Sequence, residues 1–172
     1  MALLTILCYP DPRLHKVAQP VQAVDARVHA LIDDMLETMY EAGGIGLAAT
    51  QVDVHERLVV IDTSEERNQP MVLINPEIRS FGPGLDTYEE GCLSIPGVYL
   101  NVVRPTTVEV GYRDELGRPQ RLRTDGLLAR CIQHEMDHLS GVLFVDRVTD
   151  ELSLNAELQD HGFARGDVQS IR

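Results

Sequence analysis

Gln133-His134-Glu135-Met136-Asp137-His138 is the stretch of sequence that decides the fold and the chemistry of this chain. It contains the pattern H-E-x-x-H, and residues four apart on a helix lie on one face, so His134 and His138 can bind one metal ion together. Glu135 lies about 100° further round the helix, beside the metal, where it can move a proton. The alternative is an ordinary amphipathic helix whose two histidines lie in the core or on the surface and bind no metal ion. With a third ligand, the pattern indicates a metal-dependent hydrolase.

The helix that holds this pattern should span residues 126–140. Thr124 or Asp125 can cap its start, and Gly141 can end it. Leu127 and Cys131 lie on the histidine face, and Leu128, Ile132 and Leu139 form an adjacent apolar face. The helix can therefore bury one stripe in the core and direct its histidines toward a cavity.

Cys92 is the candidate third ligand. It lies in the segment Glu89–Pro96, whose Gly91 and Pro96 suit an irregular turn. A lone cysteine is more often a small buried residue, but a thiolate in a polar segment is a good metal ligand. Cys131 is the rival. Because it shares the face of His134 and His138, three ligands from one helix would be crowded, and we interpret Cys131 as part of a pocket wall.

A glycine-rich segment, Gly44–Gln51, precedes these two motifs. Its glycines permit close approach of another chain, and its small apolar residues permit tight packing. A loop that ends a helix and enters a buried strand would have the same composition. Gln51, at the end of the segment, could donate a side-chain hydrogen bond to an oxyanion, although an ordinary solvated amide is the simpler interpretation.

The remaining pattern predicts an α+β fold in one domain over residues 1–172. An amphipathic N-terminal helix should begin after Asp25 and end at Gly43-Gly44, since its apolar residues recur at helical spacing: Val28, Leu31, Ile32, Met35, Leu36 and Met39. Strands are predicted at residues 57–63, 71–75, 98–103, 106–112, 120–124 and 142–146, with a hairpin turn at 114–119. Because strands cluster between two helices, mostly antiparallel sheets should pack around the central H-E-x-x-H helix.

The composition excludes several classes of protein. The chain has 172 residues and a formal charge of −12, which argues against a nucleic-acid surface and against binding to anionic lipid. No basic residue precedes the short apolar run at the N-terminus, which argues against a secretory signal. No window approaches the ~18 apolar residues of a membrane span. Three cysteines without framework spacing favour reduced thiols and a cytoplasmic location.

Together, the three motif segments resemble the peptide deformylase family. The family has the motifs G-φ-G-x-A-A-x-Q, E-G-C-φ-S and Q-H-E-x-D-H in that order, and here they are Gly44–Gln51, Glu90–Ser94 and Gln133–His138. The similarity extends from the proline-rich N-terminal segment to about Asp146. Residues 147–172 form a tail outside it.

The resemblance implies removal of the N-formyl group from the first methionine of new polypeptides, with release of formate. It implies that Cys92, His134 and His138 bind the metal, and that Glu135 is the general base and acid. It further implies that Gln51 and the backbone N–H of Leu93 stabilise the oxyanion. The family's metal is usually ferrous iron, Fe(2+), although Zn(2+), Ni(2+) or Co(2+) can occupy the site.

The chemistry of these residue types agrees with that reaction. A bound cation makes water nucleophilic at neutral pH, and a nearby carboxylate can take its proton and return it to the leaving amine. The resemblance further implies a methionine pocket and an added strand that would bind the formyl-methionyl peptide. The candidate residues for these are Gly44, Ile45, Gly46, Glu90, Gly91, Leu127 and Cys131.

Two features depart from the family pattern. Gly43 stands where many members have an acidic residue or proline, which would loosen the loop at the mouth of the cleft. The tail 147–172 has three Arg, no Lys and five acidic residues, whereas many bacterial members end in a basic helix that docks on the ribosome. We therefore predict weak or no ribosome docking through this tail, and a specialised or second copy of the enzyme is one explanation.

Two alternatives to this assignment stay open from the sequence. A zinc endopeptidase with the same H-E-x-x-H would need a downstream ligand, for which His161, Glu151 and Glu157 are the candidates. A binding-only relative would lack turnover. The complete set of candidate catalytic and ligand residues argues against the second.

Overall fold

Seven strands and three α-helices make up residues 2–171, the part of the chain that the structure, a computed structural model, describes. In chain order they are α1 (Ala26–Glu41), β1 (Gly46–Ala48), β2 (Leu58–Ile61), β3 (Met71–Phe81), β4 (Leu85–Cys92), β5 (Ile95–Pro105), β6 (Thr107–Arg113), β7 (Pro119–Asp125), α2 (Gly126–Leu139) and α3 (Glu151–Asp160). Short 3₁₀ turns lie at Pro12–His15, Ala49–Val52 and Phe144–Arg147. A five-stranded antiparallel sheet has the order β1-β2-β3-β6-β7, and β4 and β5 form a separate antiparallel pair.

Helix α2 is the central element between the two sheets. Its apolar face, which includes Ile132 and Leu139, packs against Val59, Ile61 and Leu73 of the five-stranded sheet. On another side, His134 and Arg130 extend toward the β4–β5 pair, where both bond to Glu90. The predicted α+β fold, with mostly antiparallel sheets around the H-E-x-x-H helix, is confirmed.

Helix α1 begins and ends as its sequence predicts. The Asp25 carboxylate accepts a hydrogen bond from the Val28 N–H at 3.1 Å, which satisfies one of the free donors at the helix start. Gly43 follows the last turn with φ of 73°, a conformation that favours glycine. At 16 residues α1 is longer than α2 and α3, and no helix within residues 2–171 is long and apolar enough to cross a membrane.

Five of the six predicted strands are present, the one at residues 142–146 is wrong, and strands β1 and β4 were not among those predicted. Residues 142–146 are not a strand, because Leu143 precedes a 3₁₀ turn at Phe144–Arg147 in which the Asp146 carboxylate accepts from the Leu143 N–H at 2.8 Å. A short buried apolar run does not distinguish a strand from a turn. Strand β4 was missed because Glu90 is its only buried residue, so it shows no apolar alternation.

The tail forms helix α3 and then returns to the N-terminal segment. The sequence fitted a helix or a strand equally well, and the structure has a helix whose first turn is capped by Asp150, which accepts from the Ser153 N–H at 3.1 Å. Beyond α3, the Tyr9 hydroxyl donates to the Ala164 carbonyl oxygen at 2.5 Å, and Phe163 lies edge-to-face against the Tyr9 ring. The tail therefore packs against the body of the protein.

Candidate metal centre and catalytic cleft

Three ligand atoms converge where strand β4 meets helix α2. The spacing of His134 and His138 places both imidazoles on one face of α2, and Cys92 reaches them from the end of β4. Their ligand atoms all lie within 4.8 Å of one another, and the Cys92 Sγ is 3.3 Å from the His138 Nε2. The three predicted ligands are thus brought together, although Cys92 is remote from the histidines in sequence.

This arrangement suits a small divalent cation. Zinc-type bond lengths at tetrahedral angles put a thiolate sulfur and an imidazole nitrogen about 3.6 Å apart, close to the distance between Cys92 and His138. The Glu135 Oε2 atom is buried without a hydrogen-bond partner in this structure, an arrangement expected beside a cation and its solvent. Three protein ligands leave a further coordination position open for chemistry.

Cys131, the rival ligand, lies elsewhere in the site. Its thiol is directed toward the Ile45 carbonyl oxygen at 3.9 Å, and burial raises the pKa of the thiol well above its usual range. The Cys131 sulfur is not among the three ligand atoms that converge at the candidate metal centre. The structure therefore places Cys131 in the wall, as the sequence suggested.

Glu135 lies at the centre of the site with its carboxylate nearly free. Its side chain is buried at the floor of the cleft, and this burial raises the pKa of the carboxyl to about 7. The Oε1 atom packs beside Gly46, where a Cβ would approach it to 2.9 Å. A carboxyl with a pKa near neutrality can both accept and return a proton at physiological pH.

Gln51 is buried and held in a defined orientation beside Cys92. It lies in the 3₁₀ turn Ala49–Val52, and its Oε1 accepts from the Ala48 N–H at 2.9 Å. Because that partner is a donor, the amide nitrogen must face the other way, toward Ser94 Oγ at 3.0 Å and Cys92 Sγ at 3.5 Å. The Gln51 amide thus presents N–H groups beside the candidate metal ligands.

Glu90 joins the candidate metal ligand to a buried network of arginines. Its carboxylate accepts two bonds from Arg104, at 2.6 and 2.9 Å, and one from Arg130 at 2.6 Å. The His134 Nδ1 is 2.9 Å from Glu90 Oε1. Although burial opposes the charged form, the donors on His134 and Arg104 hold the pKa of Glu90 below its usual range.

The charge on Glu90 decides which His134 nitrogen is available to a metal. A carboxylate only accepts, so the His134 Nδ1 carries the proton and the Nε2 lone pair faces Cys92 and His138. Such carboxylate partners orient metal-binding histidines and raise their basicity. The predicted substrate-binding role of Glu90 stays a prediction, and the contacts of its carboxylate are those of a positioning residue.

A cleft of about 590 Å³ opens over this centre. Its lining includes all the predicted substrate-binding residues: Gly44, Ile45, Gly46, Glu90, Gly91, Leu127 and Cys131. Leu93, His134 and Glu135 also line it. Gly91 matters sterically, because a Cβ there would lie 2.5 Å from the Tyr99 ring.

Sequence reasoning missed four residues of the site. On β5, every second residue from Val98 to Arg104 faces the interior, and Arg104 is the charged residue in that series. A charge at a position that should be buried could have indicated a buried ion pair. Arg130 lies one turn before His134 on α2 and bonds to Glu90. Tyr88 and Tyr99 form part of the cleft wall, for which the sequence contained no comparable signal.

The alternative third ligands of an endopeptidase are not at the centre. The His161 ring packs beside Gly97 at the rim of the cleft, and its Nδ1 is 3.0 Å from the Glu157 carbonyl oxygen. The Glu157 carboxylate accepts from the Tyr99 N–H at 2.9 Å. Arg165 pairs with Glu151 at 3.0 Å, also in the tail. Within residues 2–171, the grouping with metal-ligand geometry is Cys92, His134 and His138.

Comparison with known proteins gives one consistent result. Residues 3–153 match the polypeptide deformylase family. A peptide deformylase of Synechococcus sp. (strain RCC307) is 64% identical over 160 residues, which cover 92% of this chain and 80% of that relative. The crystal structure of a peptide deformylase from Synechococcus elongatus in complex with actinonin aligns with a TM-score of 0.95 at 54% identity, covering 98% of this chain and 92% of that one. A peptide deformylase structure from Legionella pneumophila aligns with a TM-score of 0.86 at 45% identity, covering 92% of this chain and 95% of that one.

Proposed function

Because this chain belongs to the peptide deformylase family, we propose that Glu135 is its general base and acid and that Cys92, His134 and His138 hold its metal ion. Its activity is that of the family, the hydrolytic removal of the N-formyl group from nascent peptides. The observation that supports these roles is the convergence of three ligand atoms within 4.8 Å beside a buried, unpartnered Glu135 oxygen.

We propose ferrous iron as the physiological ion, with Zn(2+), Ni(2+) or Co(2+) able to replace it. A thiolate with two imidazoles suits several transition metals, so the donor set supports a metal of this class and the family resemblance supports iron within it. When bound, the cation supplies Lewis-acid activation of water and of the formyl carbonyl group.

Glu135 would carry a proton from the attacking water to the departing amine. Its Oε2 atom has no other partner, and its pKa of about 7, raised by burial, lets it accept a proton from the attacking water near neutral pH. The same carboxyl group then returns the proton to the amine of the methionine as the C–N bond breaks. Formate and a peptide with a free N-terminus are the products.

Gln51 and Leu93 would share the negative charge that develops on the formyl oxygen. The Gln51 amide is oriented by Ala48 and Ser94, and its second N–H faces Cys92 Sγ, from which it would turn to the oxyanion as charge develops. Leu93 follows Cys92 directly, in the turn between β4 and β5, which places its backbone N–H next to the metal ligand.

The substrate would lie across the mouth of this cleft. Ile45, Leu127 and Cys131 line the wall that we assign to the methionine side chain, and the neutral Cys131 thiol suits contact with a thioether. The Gly44–Leu47 backbone would pair with the peptide as an added strand. Because a formyl group has only hydrogen on its carbonyl carbon, a tight site can exclude acetyl and longer acyl groups by size.

Formate release from formyl-Met-Ala-Ser tests this proposal. We expect rapid release by protein purified anaerobically with Fe(2+), and none from the acetylated peptide, since the acetyl methyl group would collide with the site. Zinc-loaded protein, compared at equal metal content, tests the iron assignment. Absence of formate from fully metal-loaded protein would contradict the proposed roles.

We also propose that the tail belongs to the single domain and docks weakly or not at all on ribosomes. Helix α3 contains Glu151, Glu157 and Asp160 and no basic residue, so it lacks the charge that would attract ribosomal RNA. We expect the protein to stay in the supernatant when ribosomes are sedimented at physiological salt. Co-sedimentation that survives at that salt would contradict this. A cytoplasmic location remains a prediction.

A further inference from the structure

The loop between β2 and β3, residues 62–70, supports the first motif from behind. Its sequence, Asp62-Thr-Ser-Glu-Glu-Arg67-Asn-Gln-Pro70, is polar and acidic, and the function described above uses none of it. The Asp62 carboxylate organises the loop by accepting from the Ser64 N–H at 2.9 Å and the Gln69 N–H at 3.1 Å. Arg67 is half-buried within this loop and adopts a φ of 56°, so the loop holds it in a left-handed conformation.

The Arg67 guanidinium group reaches the glycine-rich segment. Its Nη2 donates to the Gly44 carbonyl oxygen at 2.5 Å, and its central carbon lies 5.2 Å from the centre of the Tyr40 ring. The Tyr40 hydroxyl donates to Asp62 Oδ2 at 2.5 Å, and the Asp62 N–H donates to the next carbonyl, that of Ile45, at 2.8 Å. Two successive carbonyl groups of the first motif are therefore held by this loop, and Tyr40 of α1 supports the loop through Asp62.

The segment that is held this way contacts the side chains of two residues of the proposed machinery, Leu93 and Glu135. A Cβ at Gly44 would lie 2.6 Å from the Leu93 Cδ1, so the Gly44 backbone rests directly on the Leu93 side chain. A Cβ at Gly46 would lie 2.9 Å from the Glu135 Oε1. A shift of a few tenths of an ångström in this segment would thus change the packing of both residues.

We propose that Arg67 is a positioning residue of the cleft: its guanidinium group holds the Gly44 carbonyl and so keeps the Gly44–Gly46 segment against Leu93 and Glu135. The proposal rests on the roles given above to Leu93, Glu135 and the peptide-pairing segment. Arg67 acts through the backbone of Gly44 and not on the substrate. The cation–π contact with Tyr40 limits the positions that the guanidinium can occupy.

Arg67→Met removes the donor while retaining the length and much of the apolar contact of the side chain. We expect kcat/KM for formyl-Met-Ala-Ser to fall about tenfold, which is the loss expected for one hydrogen bond to a charged group. Most of the loss should appear in KM, because the peptide pairs with this segment. Arg67→Lys keeps one charged donor and should recover part of the loss.

Arg79→Met is the matched control, since Arg79 is exposed, pairs with Glu77 and lies on β3 outside the cleft. It should behave as the wild type. Hydrogen exchange of the metal-free proteins supplies a second measurement, and amides of residues 44–48 should exchange faster in Arg67→Met while those of α1 do not.

The proposal would be overturned if Arg67→Met changed kcat/KM by less than about twofold, or if its whole effect were a lower thermal midpoint with unchanged kinetics at low temperature. Faster exchange without a kinetic change would also overturn it. Failure of Arg67 alone leaves the proposed function intact, because Glu135→Gln tests that function separately in the same assay.

Discussion

Glu135→Gln is expected to abolish most turnover while the protein keeps its metal. The substitution preserves the shape of the side chain but removes the group that accepts and returns the proton. General acid–base catalysis by one residue contributes on the order of 10²–10⁴ in rate, and we expect kcat to fall by about a thousandfold. Because Glu135 is not among the three converging ligands, metal content should remain that of the wild type.

The large effect follows from where the carboxyl group lies. Glu135 is buried, and its Oε2 has no protein partner that could compete for the proton. His134 Nδ1 is already engaged by Glu90, and no other described carboxylate has both a free buried oxygen and a place beside the ligand group. A substitute base is therefore absent from the described part of the cleft.

Glu89→Gln is the matched control for this experiment. Glu89 also lines the cleft, but its side chain is exposed on β4, so the same chemical change should leave kcat within about twofold of the wild type. Formate release and metal content would be measured on the same preparations. If Glu135→Gln retained full turnover, Glu135 would be removed as the base and the proposed mechanism would fail.

Cys92→Ala is the second change with a very large expected effect, in this case on metal binding. Removing one of three protein ligands should weaken the affinity for Zn(2+) by more than about a hundredfold, because even the partners of ligands contribute 10–100-fold. Cys92 should matter more than either histidine because a metal-bound cysteine coordinates as a thiolate, which would be the one charged donor among the three ligands. Competition with a chelating dye measures the affinity directly.

Cys131→Ala distinguishes this ligand assignment from its rival. Its thiol is buried with a raised pKa and is directed toward the Ile45 carbonyl oxygen, so its loss should leave metal affinity near that of the wild type. Cys8→Ala is a further control, because Cys8 is exposed and its loss should not change the metal affinity. Full metal occupancy in Cys92→Ala, with loss in Cys131→Ala, would reverse the assignment.

The local parts of the site could be predicted because helix geometry depends on hydrogen bonds between neighbouring residues. Once a helix spans residues 126–139, the four-residue spacing of His134 and His138 puts both on one face, whatever the rest of the chain does. The end of α1 at a glycine pair and the β6–β7 hairpin were predictable for the same reason, since each depends on a few adjacent residues.

Other elements could not be predicted from pattern alone. Strand β4 exposes most of its side chains and shows no periodicity, although it delivers both Glu90 and Cys92. Residues 143–145 are buried like a strand but lie mostly in a 3₁₀ turn, because their burial comes from packing against β5 and the tail and not from pairing in a sheet. A short apolar run predicts that its residues are buried, but it does not predict their backbone conformation.

By itself, the sequence determined the two histidines and the carboxylate of one helix face, and the three motifs that identify the family. Only the tertiary structure decided that Cys92 and not Cys131 meets those histidines, that Glu90 orients His134, and that Arg67 holds Gly44. The physical reason is the range of the interactions. Residues within one turn of a helix are joined by its own hydrogen bonds, whereas residues far apart in the chain meet only when every element between them has packed.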